Sequence, residues 1–300
     1  MENHKGWMEG RKFVNHSKNI IVNERSVVVG YSTFFIERTS NYRNPKMKTI
    51  EDFKNQIIHG DCLEVMKDIP DNSVDMILCD LPYGTTACKW DVIIPFEDLW
   101  TQYTRIAKED AAIVLTAAQP FTSVLVSSNI KMFRYEWVWE KPQGTNPLNA
   151  KVMPMKSHEN VLVFSKKRAR YFPIMEEGKP YSGFKSKDGA TIGEVYAKQT
   201  SMHRENHGTR YPKTIRRFKQ QTGLHPTQKP VELFEYMIQT YTKEGDIVLD
   251  NCIGSGTTAI AALNTKRNYI GIEMDDKYYR ITNERIADKL SVATLDEFIS

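Results

Sequence analysis

Four cysteines in 300 residues, Cys62, Cys79, Cys88 and Cys252, form no Cys-x-x-Cys pair. That spacing excludes a zinc ribbon or a disulfide scaffold and suits a reducing cytosol. No His/Cys/carboxylate pattern asks for a metal. Long apolar runs are also missing: the longest, Ile113–Ala118 and Asn160–Phe164, are far too short to cross a bilayer. The opening MENHKGWMEGRK has no apolar stretch of the kind a signal peptide needs, so a cytoplasmic protein without a membrane partner is expected. Gly-x-x-x-x-Gly-Lys-Ser/Thr is absent, which excludes a Walker phosphate loop. Composition excludes collagen, coiled coil and bulk disorder.

What is present is unevenly placed charge. Residues 1–46 hold eight Lys/Arg against four Asp/Glu, and residues 165–220 hold 14 against five. These two blocks carry more than the whole net charge of +4, so the remainder is net acidic. Basic surface gathered in this way suits a polyanionic partner.

Texture divides the chain further. Residues 1–46 form a basic extension with little periodicity, in which NIIVNERSVVVGYSTFFI reads as a β-hairpin. From Met47, short buried apolar runs alternate with helical patterns: IIHGD, VDMILCD, AAIVLTA, FRYEWVWE and ENVLVFS are strands. The alternation stops at 165–224, an insertion of loops and short elements with interleaved aromatics. It resumes at 225–300 with the strands DIVLD and NYIGIE. Seven such runs predict an α/β fold, a doubly wound, mostly parallel sheet with helices on both faces.

Two segments carry chemistry. In DIVLDNCIGSGTTAIAAL, residues 246–263, a strand delivers Asp250, Gly254 and Gly256 turn the chain, and a helix starts near Thr257. Glycines allow close backbone approach to a ligand, and helix-start amides favour polar groups. Glu273, ending the next strand, is placed to accept from ribose hydroxyls. In VDMILCDLPYGTTACKW, residues 74–90, a buried strand ends in Asp80-Leu81-Pro82-Tyr83-Gly84. A carboxylate, a carbonyl and an aromatic ring presented on one sharp turn match a primary amine on a flat ring.

Together these segments resemble the amino-directed, S-adenosylmethionine-dependent DNA methyltransferases. Asp80-Leu81-Pro82-Tyr83 is similar to that family's Asp-Pro-Pro-Tyr motif. Asp250-Asn251-Cys252-Ile253-Gly254-Ser255-Gly256-Thr257-Thr258 is similar to its cofactor motif, and His225-Pro226-Thr227-Gln228-Lys229-Pro230 to its HPTQKP box. The catalytic motif precedes the cofactor motif, as in the β subgroup. Leu81 departs from the first proline, and Asn251 and Cys252 depart from Pro-Phe.

The resemblance implies a Rossmann-like methyltransferase sheet in which the strands carrying Asp80 and Asp250 are neighbours. It places Asp61 near the cofactor's adenine, Glu273 on the ribose, and Asp250, Gly254, Ser255, Gly256, Thr257 and Thr258 around the methionine portion, with Lys229 lining the same pocket. The target base would leave the duplex stack. Tyr83 would stack on it, and the Asp80 carboxylate and Leu81 carbonyl would accept its amino protons. The insertion would read double-stranded DNA through Lys166, Lys167, Arg168, Arg210, Arg216, Arg217 and Lys219, while His158-Glu159-Asn160 and Gly144-Thr145-Asn146 lie on loops near the flipped nucleotide. Partners such an enzyme brings are DNA, a second copy of the chain, and a restriction endonuclease. Because the motif opens with Asp, adenine N6 is the expected target and cytosine N4 the alternative. Gly254-Ser255-Gly256-Thr257-Thr258-Ala259 also fits the Gly-x-Gly-x-x-Ala of nicotinamide oxidoreductases, a reading that leaves Asp80–Tyr83 unexplained.

Overall fold

A computed structural model describes residues 48–86, 88, 91–184, 203–221, 223 and 228–299, together with four strands before residue 48. The chain divides into two compact units, Met1–Met47 and Lys48–Ser300. In the first, β1 (Val14–Asn15), β2 (Lys18–Asn23), β3 (Ser26–Val29) and β4 (Ser32–Phe35) pair antiparallel in chain order. The segment expected as a hairpin thus holds the last three strands of a four-stranded meander.

The second unit is built from β5 (Gln56–His59), α1 (Cys62–Asp68), β6 (Val74–Cys79), α2 (Phe96–Ile106), β7 (Ala107–Ala117), α3 (Phe121–Ser128), β8 (Phe133–Thr145) and β9 (Lys156–Phe164). Four short insertion strands follow: β10 (Glu176–Glu177), β11 (Tyr181–Phe184), β12 (His203–Asn206) and β13 (Thr209–Arg210). Then come β14 (Ile215–Arg217), α4 (Val231–Tyr241), β15 (Ile247–Asp250), α5 (Thr257–Asn264), β16 (Asn268–Glu273) and α6 (Asp276–Ile299).

One eight-stranded sheet runs β14-β8-β9-β7-β6-β15-β16-β5, with only β9 antiparallel to its neighbours. Seven of these strands are the apolar runs of the sequence. The eighth, β14, comes from the insertion and pairs parallel with β8, Ile215 opposite Val138. The remaining insertion strands form two separate ribbons, β10 with β13 and β11 with β12.

Side-chain alternation explains why these runs are buried on both faces. In β7, Ala111, Ile113, Leu115 and Ala117 face one core while Ala112 and Val114 face the other. The first core takes Met66 of α1, Leu99 and Tyr103 of α2 and Phe121 of α3; the second takes Phe234 and Met237 of α4 and Ile260 of α5. A register shift between Val74 and Met76 lets Asp75 leave the alternation. Its buried carboxylate accepts from Lys108 Nζ, Arg170 and the Ile247 amide, tying β6 to the start of β15.

The consequence for function lies at one edge. Val248 pairs with Met76, so β6 and β15 are parallel neighbours, as the resemblance implies. With β16 and β5 beside them, four adjacent strands deliver Asp80, Asp250, Glu273 and Gly60-Asp61 to the same carboxyl edge. Open α/β sheets bind ligands at that edge. Among the described residues no helix is long and apolar enough to cross a membrane.

Candidate active site at the carboxyl edge

The turn after β15 is held from inside. Asp250 is 3% exposed; its Oδ1 accepts from the Cys252 amide at 3.0 Å and its Oδ2 from the Thr258 hydroxyl. Burial pushes the Asp250 carboxyl up to about 7, against the pull of its donors. Gly254 and Gly256 adopt φ of 54° and 83°, a region costly for other residues. A Cβ on Gly256 would lie 2.9 Å from Thr282 Cγ2, and the Thr282 hydroxyl donates to the Gly254 carbonyl. Glu273 Oε2 accepts from the Gly254 amide and Oε1 from the Asp275 amide, both at 2.8 Å. Burial raises the Glu273 carboxyl above its usual range. Asp61 caps α1, accepting from the Leu63 and Glu64 amides, and also lines the cleft.

Asn251, which departs from the family's proline, is 2% exposed and accepts from the buried Tyr103 hydroxyl at 2.5 Å. The thiols of Cys62 and Cys79 lie below the turn. Contact with Cys252 chiefly raises the first, and burial pushes Cys79 up to about 12, so neither supplies a thiolate.

Asp61, Cys62, Asp250, Asn251, Cys252, Gly254 and Glu273 line a cleft of about 350 Å³ together with Asp80, Leu81, Pro82, Tyr83 and Ser255, whereas Gly256 and Thr258 support the turn from outside its lining. An apolar-walled cleft with backbone laid open at two glycines and a carboxylate at one end suits a nucleoside-bearing cofactor. Asp250 shapes the turn, because both its oxygens are spent on the protein. A folded-state carboxyl raised from 3.8 to about 7 contributes stability that is fully present at low pH and is lost as pH rises through about 7. Melts between about pH 5 and 8 should therefore show Asp250→Asn gaining on the wild type as pH rises. A gap independent of pH would mean that the carboxyl titrates normally.

At the tip of β6 the Asp80 carboxylate is nearly surrounded. Oδ1 accepts from the Tyr83 hydroxyl at 2.8 Å and from Thr116; Oδ2 accepts from Lys229 Nζ at 2.7 Å. Lys229 was expected beside the cofactor. It does line the cleft, but its ammonium, 5% exposed, is paired with Asp80 and lies 3.4 Å from Glu159 Oε2. The Tyr83 ring, expected open for a base, stacks on Phe121 at 4.9 Å between centroids and has Lys229 Nζ 5.5 Å from its own. The next turn is braced by Asp91, which accepts from the Gly84, Thr85 and Thr86 amides. Burial pushes the Asp91 carboxyl up, but these donors outweigh it and hold it below its usual range. Sequence reading missed Asp91, Thr116 and Lys141. The first had no signal beyond an acid placed shortly after a Gly turn.

A second cavity of about 350 Å³ shares Tyr83, Thr85, Gln228 and Lys229 with the first. Its other walls include Gln119, Lys141, Thr145, Lys156, Glu159, Gln220 and Gln221. Thr145 and Glu159 thus lie beside the tip of β6, but on strands β8 and β9 rather than on the expected loops, and Gly144, Asn146, His158 and Asn160 are not among the walls of this cavity. His225, Pro226 and Thr227 lie outside the described residues.

The seven basic residues expected to read DNA separate into three groups. Lys166, Lys167 and Arg168 follow β9, which runs antiparallel, so they emerge at the edge opposite the cleft. Lys166 Nζ bonds the Thr104 and Ala107 carbonyls, and both lysines pair with Glu109. Arg210 and Arg216 serve the protein: Arg210 bonds Asn206 and the Lys179 carbonyl over the Tyr181 ring, and Arg216 pairs with Glu176 over Tyr236. Arg217 and Lys219 are exposed on and just after β14, near Gln220 and Gln221 of the second cavity. Only this last pair is free of those structural duties and on the cleft side. Among the described residues no cluster of His, Cys, Asp and Glu is placed to hold a metal ion.

Known proteins place this arrangement. The family model described as DNA methylase matches residues 74–284. Type II methyltransferase M.BglII of Bacillus subtilis is 29% identical over 250 residues, 76% of this chain and 67% of that protein. Type II methyltransferase M.HinfI of Haemophilus influenzae is 28% identical over 271 residues, 80% of this chain and 70% of its own length. Among solved structures, the M1.HpyAVI–SAM complex superimposes with a TM-score of 0.54 at 25% identity, covering 77% of this chain and 98% of that one. PvuII DNA methyltransferase, cytosine-N4-specific, shares the fold at a TM-score of 0.54 and 17% identity, covering 77% and 85%. With the family model spanning both Asp80 and the turn after β15, the chain belongs to the N6/N4 DNA methylase family of S-adenosylmethionine-dependent enzymes.

Proposed function

We propose that this enzyme methylates the N6 amino group of adenine in double-stranded DNA. The observation that supports this best is the state of Asp80. Three donors occupy about three of the four acceptor positions of a carboxylate, leaving one on Oδ2 at the wall between the two cavities. Among the described residues nothing donates to the Leu81 carbonyl next to it. Two acceptors side by side suit the two protons of one exocyclic amine.

In this reading the Gly254–Thr258 turn and Glu273 hold S-adenosylmethionine, which supplies an electrophilic methyl group. The flipped base enters the second cavity, with Tyr83 as part of its wall. Oδ2 of Asp80 and the Leu81 carbonyl each accept a hydrogen bond from one amino N–H. Both bonds draw the nitrogen lone pair out of ring conjugation and aim it at the methyl. The S–CH3 bond would break as the N–CH3 bond forms, the sulfonium leaving as a neutral thioether and the methylated nitrogen releasing one proton by way of Asp80 to solvent. Positioning and fixed electrostatics do most of the work, and no protein group is alkylated. Cytosine N4 presents the same amine, and the shared fold of a cytosine-N4 enzyme makes it the second reading. Sequencing DNA from an expressing host for modified bases reads the base and its sequence context together. N6-methyladenine at one motif is expected; N4-methylcytosine selects the second reading.

Arg217 and Lys219 contact backbone phosphates here. Neutralising both should weaken duplex binding and flatten its dependence on salt by roughly two counterions, with cofactor affinity unchanged. An unaltered salt slope would put the DNA on another face.

A further inference from the structure

The Asp80–Lys229 pair continues inward. Lys229 faces Glu159 at 3.4 Å, and Glu159 Oε1 pairs with Lys141 Nζ at 2.5 Å. Side-chain exposures of 22%, 5%, 13% and 7% run from Asp80 through Lys229 and Glu159 to Lys141. Four largely buried charges therefore alternate in sign along one line, from the wall of the cofactor cleft into the second cavity. Burying charges is expensive, and apolar residues of similar volume generally serve stability at least as well. Such a line asks for a reason other than holding the fold together.

We propose that Glu159 is a positioning residue for methyl transfer: together with Lys141 it holds the Lys229 ammonium, and Lys229 holds Asp80 with one acceptor position open to the target amine. The inference rests on the proposed amine chemistry at Asp80. An ammonium carries three donors. Drawn to Asp80 alone, it would settle over Oδ2 and compete for the position the amine needs. A second carboxylate on its far side prevents that. Strand geometry makes the arrangement rigid: Glu159 sits opposite Trp139 in the β8–β9 pair, and the Lys141 ammonium lies 4.9 Å from the Trp139 ring centroid. Burial lowers the affinity of Lys229 for its proton, and the charges of Asp80 and Glu159 more than reverse that. The ionisable groups facing this line are Asp80 and Tyr83 after β6, Lys141 from β8, and Lys156 and Glu159 from β9.

Glu159→Gln tests it. Expected is a kcat about tenfold lower or more, with Kd for S-adenosylmethionine and for DNA within about twofold of wild type. The deficit should widen as pH rises into the alkaline range, because Lys229 loses its proton sooner without the second carboxylate. Glu159→Asp keeps the charge and should show a smaller deficit that stays flat with pH. A wild-type kcat in Glu159→Gln, or a deficit that ignores both pH and the Asp variant, overturns the proposal. If Glu159→Gln no longer binds S-adenosylmethionine, Lys141→Met decides: a lowered kcat with cofactor binding retained supports the line, and a wild-type kcat refutes it. Should Asp80→Ala be inactive while Glu159→Gln matches wild type, this inference alone fails. Should the wild type modify no amino group, the functional reading fails first.

Discussion

Asp80→Ala should bind S-adenosylmethionine and duplex DNA much as the wild type does, and transfer methyl groups at least ~10²-fold more slowly. That is the scale of losing one preorganised contact made in the transition state. The cofactor turn is held by Asp250, Thr258, Glu273 and Thr282, and none of these bonds passes through Asp80. Nor should the fold collapse, since Lys229 keeps Glu159 as a counter-charge. The amine acceptor disappears, and with it the bonds from Tyr83, Thr116 and Lys229, none of which reaches the cofactor turn. Single-turnover transfer from labelled S-adenosylmethionine, set beside calorimetric titration of the cofactor, separates the two quantities. Transfer close to the wild-type rate would remove Asp80 from the chemistry, and lost cofactor binding would mean that it supports the cleft.

Lys229→Met should cost more in stability. Methionine fills the space of the lysine stem but leaves the Asp80 and Glu159 carboxylates facing one another without the cation between them. Removing one partner from a buried ion pair costs ~3–5 kcal/mol, because the remaining charge stays buried. The sign with pH is fixed. Two carboxylates left together bind protons more tightly when folded than when unfolded, so the variant is best at low pH and loses ground as pH rises. Methyl transfer should fall as well, most at low pH, where a carboxyl that shares a proton with its neighbour is a poor acceptor. Thermal melts at about pH 5 and about pH 8 suffice to check this. An equal and small deficit at both would show that Lys229 is a surface-like lysine with little part in the site.

The core strands were legible because each is a short apolar run between turn signals, buried on both faces as parallel strands are. β14 was not: Ile215–Arg217 is three residues long in a basic setting, and it becomes a strand only through pairing with β8. The two chemical turns were legible because Gly, Pro and acid sit at fixed offsets after strands. Charge counting placed basic residues in one block but could not see strand direction. Since β9 runs antiparallel, Lys166–Arg168 emerge away from the cleft while Glu159, six residues before Ser165, lines the second cavity. Lys229 and Asp80 could each be found by motif, whereas their ion pair could not, because 149 residues separate them.

One measurement bears on all of this most directly. Purified protein is incubated with duplex DNA and S-adenosylmethionine carrying an isotopically heavy methyl group, and the digested nucleosides are analysed by mass. An amine held by Asp80 and Leu81 beside the cofactor turn requires the heavy methyl to appear on an exocyclic amino group, as N6-methyldeoxyadenosine in the proposed reading, and to fall at least ~10²-fold with Asp80→Ala. Heavy methyl on a ring carbon, or on no base at all, would contradict it.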